Sequence, residues 1–296
     1  MTTSMLHRYY DFSDAALVLI GHGSTKNAAS TATTYQHGEE LRRRKIFREV
    51  AECFWMVEPK VHEVLDRLRA PRVFLMPLFL SDGYFTQEAL PAALGLKTED
   101  QTGFARVQQR GGKTLHFCHP VGTHRKITEV ILARAQDVVA CHPFPRPPPP
   151  SDIALFLAAH GTTQSDESRA AVDQQAEAIR AMGLYAEVHS VFLEEPPFIG
   201  DCYALGRAPN FVLVPFFMAD GLHTAEDIPI RLGESTANVQ ARLQTGQSTW
   251  RNPTEKHGKR VWVSRCVGTE PILADLILER MREVAGVSTL AETIGP

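Results

Sequence analysis

The chain has 296 residues, of which 44% are hydrophobic and 22% are charged, and its formal net charge is -3. This length suits two domains of ordinary size, and the charge balance excludes an overall basic surface for nucleic acid. The first residues show no signal-peptide pattern, and no apolar run approaches the roughly 20 residues that span a bilayer. We therefore expect a cytoplasmic globular protein that contacts neither nucleic acid nor a membrane.

Five cysteines are scattered along the chain and form no C-x-x-C pair. This spacing is not that of a zinc or iron–sulfur site. We expect reduced and mostly buried thiols, as in cytoplasmic proteins.

Residues 1–140 alternate between apolar runs and helical patterns. The first run, residues 15–20, has no polar interruption, which is typical of a central strand in a parallel sheet. Strands are predicted at residues 15–20, 53–57, 72–80 and 115–121, and helices at residues 35–50, 61–68, from 87 onwards and 126–140. The polar residues 97–113 are predicted to form a loop. This alternation predicts a parallel, doubly wound sheet with helices on both faces.

A proline-rich segment then interrupts the pattern. Six of residues 141–150 are proline, a composition that excludes helix and central strand and favours a stiff, extended chain. We expect residues 141–151 to be an inter-domain linker that joins residues 1–140 to residues 152–296.

The second half repeats the first in a fixed register. His160 follows His22 by 138 residues, and the same offset relates pairs of prolines and glycines further along. Glu195 follows Glu58 by 137, which suggests a one-residue slip. The register drifts only near the end, because residues 231–260 form a longer loop. An internal duplication explains this regularity.

Two histidines of the second half follow strands that are expected to be neighbours in the sheet. His160 follows the first strand of that half and His223 follows the third, so both should lie at the carboxyl edge, where open parallel sheets bind ligands. Two neutral imidazoles suit a divalent first-row metal and also accept protons near neutral pH. The alternative is that each is a turn histidine bonded to the backbone.

The equivalent pair in the first half is His22 and Phe85, given the offset of 138. A phenyl ring cannot coordinate a metal, so we expect an intact metal pair only in the second half. Phe85 is either a stacking surface for a flat ligand or a core residue.

Three glutamates at strand ends are further candidates. Glu58, Glu194 and Glu195 stand close before prolines, where a carboxylate can take up a proton or guide a cation. The alternative is a charge that favours a helix N-terminus, worth under about 1 kcal/mol. Glu226 and Asp227 are expected to cap the helix that follows them.

The hydroxyl residues after the two histidines invite a rival interpretation. Ser24, Thr162 and Thr163 lie in His-Gly-Ser-Thr and His-Gly-Thr-Thr segments, which approach the Arg-His-Gly signature of phosphohistidine enzymes. Gly21 and Ala159 occupy the position of that arginine, so the phosphate clamp is missing. We expect instead that the hydroxyls cap helices, whose N-termini suit substrate carboxylates.

Basic residues outnumber acidic ones by six to two in residues 231–260. A basic loop near a functional edge indicates an anionic small-molecule ligand, and an ordinary solvated loop is the alternative.

These segments together resemble the sirohydrochlorin chelatases, the class II tetrapyrrole metal chelatases. The resemblance covers most of both halves, and its order, spacing and duplication are more specific than any one motif. The segments concerned are residues 17–24 (LVLIGHGS), 120–122 (PVG), 154–162 (ALFLAAHGT), 192–196 (FLEEP) and 212–227.

The resemblance implies two flavodoxin-like, chelatase-like α/β domains with doubly wound parallel sheets, related by internal duplication, and a tetrapyrrole bound between them. It implies a lyase in which His160 and His223 bind the incoming metal and take up pyrrole protons, assisted by Glu194 or Glu195. The metal, Co²⁺, Fe²⁺ or Ni²⁺, is a substrate, and no organic cofactor is expected.

Further residues are expected to face an anionic tetrapyrrole. They are His22, Ser24, Glu58, Phe85, Thr162 and Thr163. Either a monomer or a homodimer is expected, although the fused duplication already supplies a pseudo-twofold internally. The alternative function is a non-catalytic metal- or tetrapyrrole-binding protein on the same scaffold.

Overall fold

The computed structural model describes residues 11–25, 27, 29–98, 100–161 and 166–286, with only the backbone of Asp166. It contains two five-stranded sheets, each in its own compact unit. Within the described residues, no helix is both long and apolar enough to traverse a bilayer.

The first half of the chain contains five strands and four helices. The strands are β1 (Ala15–Gly21), β2 (Glu49–Phe54), β3 (Arg72–Pro77), β4 (Val107–Arg110) and β5 (Lys113–Phe117). The helices are α1 (Ala29–Arg43), α2 (Val64–Arg67), α3 (Leu90–Ala93) and α4 (Ile127–Cys141). The 3₁₀ turns are Val61–Glu63 and Val121–Thr123, and one turn of π-helix, Phe85–Ala89, leads into α3.

The second half follows the same order with one extra helix. The strands are β6 (Ile153–Ala159), β7 (Glu187–Phe192), β8 (Asn210–Pro215), β9 (Thr254–Lys256) and β10 (Lys259–Val263). The helices are α5 (Asp166–Ala181), α6 (Cys202–Leu205), α7 (Ile228–Arg231), α8 (Thr236–Gln244) and α9 (Leu273–Val284). The 3₁₀ turns are Pro150–Asp152, Ile199–Asp201 and Val267–Thr269, and a π-helical turn, His223–Asp227, leads into α7.

Both sheets have the same topology. The strand orders are β2-β1-β3-β5-β4 and β7-β6-β8-β10-β9, with four parallel strands and one antiparallel edge strand in each. The predicted pair of doubly wound, mostly parallel α/β domains is therefore confirmed.

The antiparallel edge strands β4 and β9 were not predicted, because both lie in segments predicted to be loops. Helix α8 lies in one of these segments and was missed for the same reason. Each edge strand is short and partly exposed, so it has no apolar run to reveal it. The hairpin that forms β4 and β5 turns through Gly111 and Gly112, both with positive φ. Two such residues favour a tight type I′ hairpin, which is a better signal here than hydrophobicity.

Burial explains the central strands. Every residue of β1, β6 and β8 is buried, as their continuous apolar sequences require. Four of the five cysteines are buried, as expected. Burial raises the pKa of the Cys53 and Cys202 thiols to about 12, so these thiols stay protonated near neutral pH.

The strand ends that matter for function are aligned by the parallel register. Ile20 of β1 lies opposite Pro77 of β3, and Ala158 of β6 lies opposite Pro215 of β8. In each sheet the first and third strands are therefore neighbours that end at the same edge.

The two repeats have exchanged their last helices. One compact unit takes in residues up to 124 and those from 271 onwards, and the other takes in residues 125–270. Helix α4, the last of the first repeat, packs against β8 and β10, whereas α9 packs against α1 and β3. The predicted segments 1–140 and 152–296 thus describe the sequence repeats and not the compact units.

The proline-rich segment lies within the second unit and not between the units as predicted. Trp262 donates its indole N–H to the carbonyl of His142 (2.9 Å), and Arg260 donates to the carbonyl of Phe144 (3.1 Å). The physical reason is the exchange of α4, since sequence periodicity does not show which sheet a helix covers.

Matching arginines bind the exchanged helices. On α4, Arg134 donates to the hydroxyl of Thr269 (2.8 Å) and pairs with Glu270 (Nε–Oε2 3.1 Å). On α9, Arg280 donates to the hydroxyl of Thr123 (2.7 Å). Both arginines are buried, so each exchanged helix is fixed by a buried charged group.

We expect Arg134→Met to destabilise the protein by about 3 kcal/mol, because it removes a buried guanidinium that pairs with the buried Glu270 carboxylate. The side chains of Arg134 and Glu270 are only 10% and 7% exposed. Urea unfolding followed by tryptophan fluorescence measures the change. Arg67→Met is the control, since its exposed pair with Glu63 should contribute less than about 1 kcal/mol. Equal losses for the two variants would contradict the prediction.

Candidate functional site

His160 is held at the end of β6 by a bond to the next residue. Its Nδ1 lies 2.8 Å from the carbonyl oxygen of Gly161. A carbonyl only accepts, so Nδ1 is the donor, and in the neutral imidazole Nε2 is the nitrogen with the lone pair. Gly161 has a φ of +71°, and a Cβ there would lie 2.8 Å from Cγ of Glu195, so only glycine fits.

His223 opens the π-helical turn after β8. The wider turn is defined by the bond from the N–H of Ile228 to the carbonyl of His223. The Nδ1 of His223 lies 2.6 Å from Oδ2 of Asp227, a carboxylate that accepts this proton. In the neutral imidazole of His223, Nε2 is therefore also the nitrogen with the lone pair.

The structure brings the two imidazoles together. The ring centroids of His160 and His223 are 4.9 Å apart, with the planes at 83°. Phe217 stacks on His223 at 5.7 Å. Because both Nδ1 atoms are already bonded, the two Nε2 atoms are the ones available to a metal or a proton.

The two glutamates after β7 have different surroundings. Glu194 is 59% exposed at its side chain, and its Oε1 lies 3.5 Å from Nε2 of His160. Glu195 is 14% exposed and accepts from Arg169 at 2.8 Å. The guanidinium of Arg169 also lies 4.7 Å from the ring centre of Phe192. The carboxylate next to the imidazole pair is therefore that of Glu194, while Glu195 fixes the local structure.

The predicted one-residue slip between the repeats is wrong. Phe54 donates its N–H to the carbonyl of Pro59, and Phe192 donates to that of Pro197, so the loop after the second strand keeps the offset of 138. The side chains that come close to the glycine after each histidine show the same offset of 138. They belong to Val57 in the first unit and Glu195 in the second. Sequence alone had aligned the Glu-Pro dipeptides instead.

The first unit keeps the geometry of this site and loses its chemistry. His22 and Phe85 have ring centroids 5.0 Å apart at 87°, and Nδ1 of His22 lies 2.8 Å from the carbonyl of Gly23. At the offset of 138, four residues of the second unit's site correspond to smaller or apolar residues in the first unit. His223 corresponds to Phe85, Asp227 to Ala89, Glu194 to Met56 and Glu195 to Val57.

An aspartate fixes the turn after the third strand in both units. Asp220 accepts from Nε of Arg265 (2.8 Å) and from the N–H of Cys266 (3.0 Å), which ties the end of β8 to that of β10. Its counterpart Asp82 lies 3.7 Å from Nδ1 of His119, whose interaction is the main cause of an Asp82 pKa well below the usual range. Asp82 also accepts from Thr86 and Gln87 of its own turn, so an aspartate anchors the turn in each unit but through different hydrogen bonds.

Two further predicted residues that the structure describes, Glu58 and Ser24, do not join the imidazole pair. The carboxylate of Glu58 is exposed and accepts from the N–H of Lys60 (3.1 Å). Ser24 lies in the turn after β1. Thr162 and Thr163 lie outside the described residues.

The basic loop is largely used within the fold. Lys256 pairs with Glu234 at 3.3 Å, and Lys259 donates to the carbonyls of Arg207 and Ala208. Arg242 also donates to a backbone carbonyl, that of Thr249. These cations hold the segment around β9 and β10 together, so the loop's basic composition is a weak indication of an anionic ligand.

Sequence reasoning missed Asp227 as a partner of His223. Asp227 was expected to cap a helix, but it forms no capping hydrogen bond and binds the imidazole instead. Its spacing of four residues from His223 was the available signal, since such residues share a helix face. The contact of Arg169 with Glu195 had no comparable signal, because the two lie on different elements.

The pair and its neighbours do not form a closed metal cage. Across residues 11–161 and 166–286, as far as they are described, no three His, Cys, Asp or Glu side chains are grouped to hold a metal ion. Two imidazole nitrogens with one nearby carboxylate make an open arrangement, which suits a metal in transit better than a resident structural metal.

Known proteins resemble this chain over most of its length. A sequence model of the CbiX family matches residues 16–138 and again residues 154–284. The chain belongs to the CbiX family. It is 38% identical over 275 residues to a Halobacterium salinarum protein named probable sirohydrochlorin cobaltochelatase, and the match covers 90% of each chain. The resemblance to the chelatases predicted from the sequence is confirmed.

Solved structures give the same fold. A multi-domain protein of Deinococcus radiodurans, described as structurally similar to chelatases, is 30% identical with a TM-score of 0.70. The similarity covers 90% of this chain and 54% of that protein. SirB from Bacillus subtilis with Fe³⁺ is 16% identical with a TM-score of 0.63, over 92% of this chain and 95% of SirB. The second similarity concerns the fold alone.

We expect His223→Phe to weaken Co²⁺ binding by more than about 100-fold, because it removes one of two imidazole donors. Phenylalanine is the residue at the equivalent position of the first unit, so the fold should accept it. Calorimetric titration of Co²⁺ into the purified chain measures the affinity. His22→Phe is the matched control and should bind Co²⁺ like the wild type, since His22 has no imidazole partner. Equal weakening by both variants would refute the assignment.

Asp227→Ala should weaken Co²⁺ binding by about 10- to 100-fold, because an unanchored imidazole loses its orientation and its fixed tautomer. Asp227→Asn should recover part of this loss, since its amide oxygen still accepts from Nδ1. Glu226→Gln is the control, because Glu226 accepts from Gln240 and not from the imidazole. The Co²⁺ absorption spectrum reports the ligand geometry in each variant. An unchanged spectrum and affinity in Asp227→Ala would rule out the orienting role.

Proposed function

We propose that this protein inserts a divalent metal into sirohydrochlorin or a closely related tetrapyrrole. The observation that carries the proposal is the pair of imidazoles, with ring centroids 4.9 Å apart, whose Nδ1 atoms are both hydrogen-bonded, so that the Nε2 atoms are the ones left for a ligand. Membership of the CbiX family and the name of the Halobacterium salinarum relative support the substrate class.

The chemistry requires a metal donor site and proton acceptors in the same place. A divalent metal replaces two pyrrole N–H protons, so each turnover releases two protons. In the proposal, Nε2 of His160 and of His223 bind the incoming metal. Once the macrocycle nitrogens take over the metal, the same atoms can accept the displaced protons near neutral pH.

Three carboxylates have separate roles in this scheme. Glu194, next to Nε2 of His160, can receive a proton and attract the cation. Asp227 accepts from Nδ1 of His223 and so orients that imidazole. Glu195 is neutralised by Arg169 and supports the loop, so we assign it no proton.

Cobalt is the metal that we favour. The 38% identical relative is named a cobaltochelatase, and two imidazoles with one carboxylate suit Co²⁺ as well as Fe²⁺ and Ni²⁺. The open site is consistent with release of the metal, because only a few protein donors have to give way to the macrocycle nitrogens.

A second candidate is a protein that binds metal or tetrapyrrole without turnover. It is favoured by the first unit, where the same geometry has been kept without the second imidazole. The two candidates differ in a single measurement, since only a chelatase converts free sirohydrochlorin into its metal complex at many turnovers per chain.

The proposal is tested by mixing the purified chain with Co²⁺ and metal-free sirohydrochlorin and following the absorbance change of metal insertion. We expect turnover above the uncatalysed rate and a loss of at least about 100-fold in kcat for His223→Phe, which removes both a metal ligand and a proton acceptor. His62→Gln, at an exposed histidine in a 3₁₀ turn, is the control and should keep full activity. Binding without turnover in the wild type would favour the second candidate.

A further inference from the structure

Arg169 on α5 is bound on several sides at the edge of the second unit's site. Its Nη1 donates to Oε2 of Glu195 (2.8 Å) and to the carbonyl of Pro196 (3.0 Å), both in the loop after β7. Its Nε lies 3.4 Å from Oδ2 of Asp173, one turn further along α5. The guanidinium also lies over the ring of Phe192, 4.7 Å from the ring centre. Arg169 therefore joins α5 to the loop after β7.

The carboxylate that Arg169 binds lies against the residue after His160. A Cβ at Gly161 would be 2.8 Å from both Cγ and Oε1 of Glu195. The side chain of Glu195 is only 14% exposed. The carbonyl of Gly161 in turn accepts the hydrogen bond from Nδ1 of His160. A continuous chain of contacts thus runs from Arg169 through Glu195 and Gly161 to the imidazole.

The neighbouring glutamate is placed by the backbone of the same loop. The N–H of Glu194 donates to the carbonyl of His160 (3.0 Å), and Oε1 of Glu194 lies 3.5 Å from Nε2 of this histidine. Two consecutive carboxylates therefore start from one loop, and Arg169 binds the second of them. A carboxylate oxygen can ligate a divalent metal, so the position of Glu195 decides how many donors the site offers.

The first unit shows that the fold does not need this ion pair. At the offset of 138, Thr31 stands in place of Arg169 and Val57 in place of Glu195. The Cγ2 of Val57 lies 2.8 Å from where a Cβ of Gly23 would be, so an apolar side chain makes the equivalent contact. The ion pair is therefore found in the unit that has two imidazoles and is replaced in the unit that has one.

We propose that Arg169 is a positioning residue that holds the Glu195 carboxylate away from the metal and leaves Glu194 as the single carboxylate at the imidazole pair. This inference rests on the proposed function for the role of that pair. The site then offers the metal two imidazoles and one carboxylate, and the macrocycle can take the metal over. A further anionic donor would hold the divalent cation more tightly and slow its release. Arg169 acts only through Glu195.

Arg169→Thr is the first test of this role, and the fold should accept it because threonine is the first unit's residue at this position. The variant releases the Glu195 carboxylate. We expect the Kd for Co²⁺ to fall by roughly 10-fold, since one more anionic donor reaches the cation. Calorimetric titration of the full-length chain measures the Kd. The Co²⁺ absorption spectrum should also change, because the ligand set has gained an oxygen donor.

Matched variants separate the freed carboxylate from the lost positive charge. Arg169→Thr combined with Glu195→Val reproduces the first unit's pair, and its Kd for Co²⁺ should return to within about 3-fold of the wild type. Arg169→Lys should also resemble the wild type, because an ammonium group can still pair with the carboxylate. Arg180→Thr is the control, since this second arginine of α5 pairs with the exposed Glu177, and it should keep the wild-type Kd and spectrum.

Metal insertion provides a second readout of the same role. In the assay with Co²⁺ and metal-free sirohydrochlorin, Arg169→Thr should lower both kcat and the KM for Co²⁺, because tighter binding before the reaction raises the barrier to transfer. Damage to the loop alone would instead raise the KM for Co²⁺, and that result would contradict the inference.

The outcomes separate this inference from the proposed function. An unchanged or weaker Co²⁺ affinity in Arg169→Thr, or a tighter one with the wild-type spectrum, would overturn the positioning role even if the wild type inserts Co²⁺. Tighter binding with a changed spectrum, both reversed by Glu195→Val, would support the role even if the wild type inserts no metal, a result that would overturn the chelatase. A wild type that binds no Co²⁺ would overturn both.

Discussion

The parallel pairing of β6 with β8 is the constraint on which the candidate site depends. Ala158 lies opposite Pro215, so the chain leaves both strands at the same level of the sheet. The ring centroids of the histidines that follow these strands are then 4.9 Å apart, with the turn before His223 anchored by Asp220. What remains is orientation, and short bonds from each Nδ1 to Gly161 and Asp227 provide it. The pairing of β6 with β8 places the two histidines, and one local hydrogen bond orients each imidazole ring.

The two repeats separate what the fold needs from what the site needs. Both keep the glycine after the first histidine, where a Cβ would collide with the neighbouring loop, and both keep the aspartate that anchors the turn after the third strand. They differ at His223 and Phe85 and at the carboxylates around that position. The fold therefore persists without the imidazole pair, so a change in function at this edge need not cost the protein its stability.

Much of the fold could be predicted from the sequence because buried parallel strands have continuous apolar runs, as in β1 and β6. Apolar patterning could not reveal β4 and β9, since edge strands with polar residues bury too little to show it. At the site, strand ends predicted that His160 and His223 would be neighbours. The separate environments of Glu194 and Glu195 depend on Arg169, which comes from another element and leaves no local pattern.

Because α4 and α9 are exchanged, neither sequence repeat contains a complete compact unit. A cut in the proline-rich segment would give two fragments, each of which carries the last helix of the other's compact unit. Each fragment would expose the sheet face that its missing helix covers, and would keep a helix with no sheet of its own. The two pieces would then be complementary halves of a split protein, able to regain their cores only by assembling with each other. The same interlocking means that loss of the last helix damages the unit at the opposite end of the sequence.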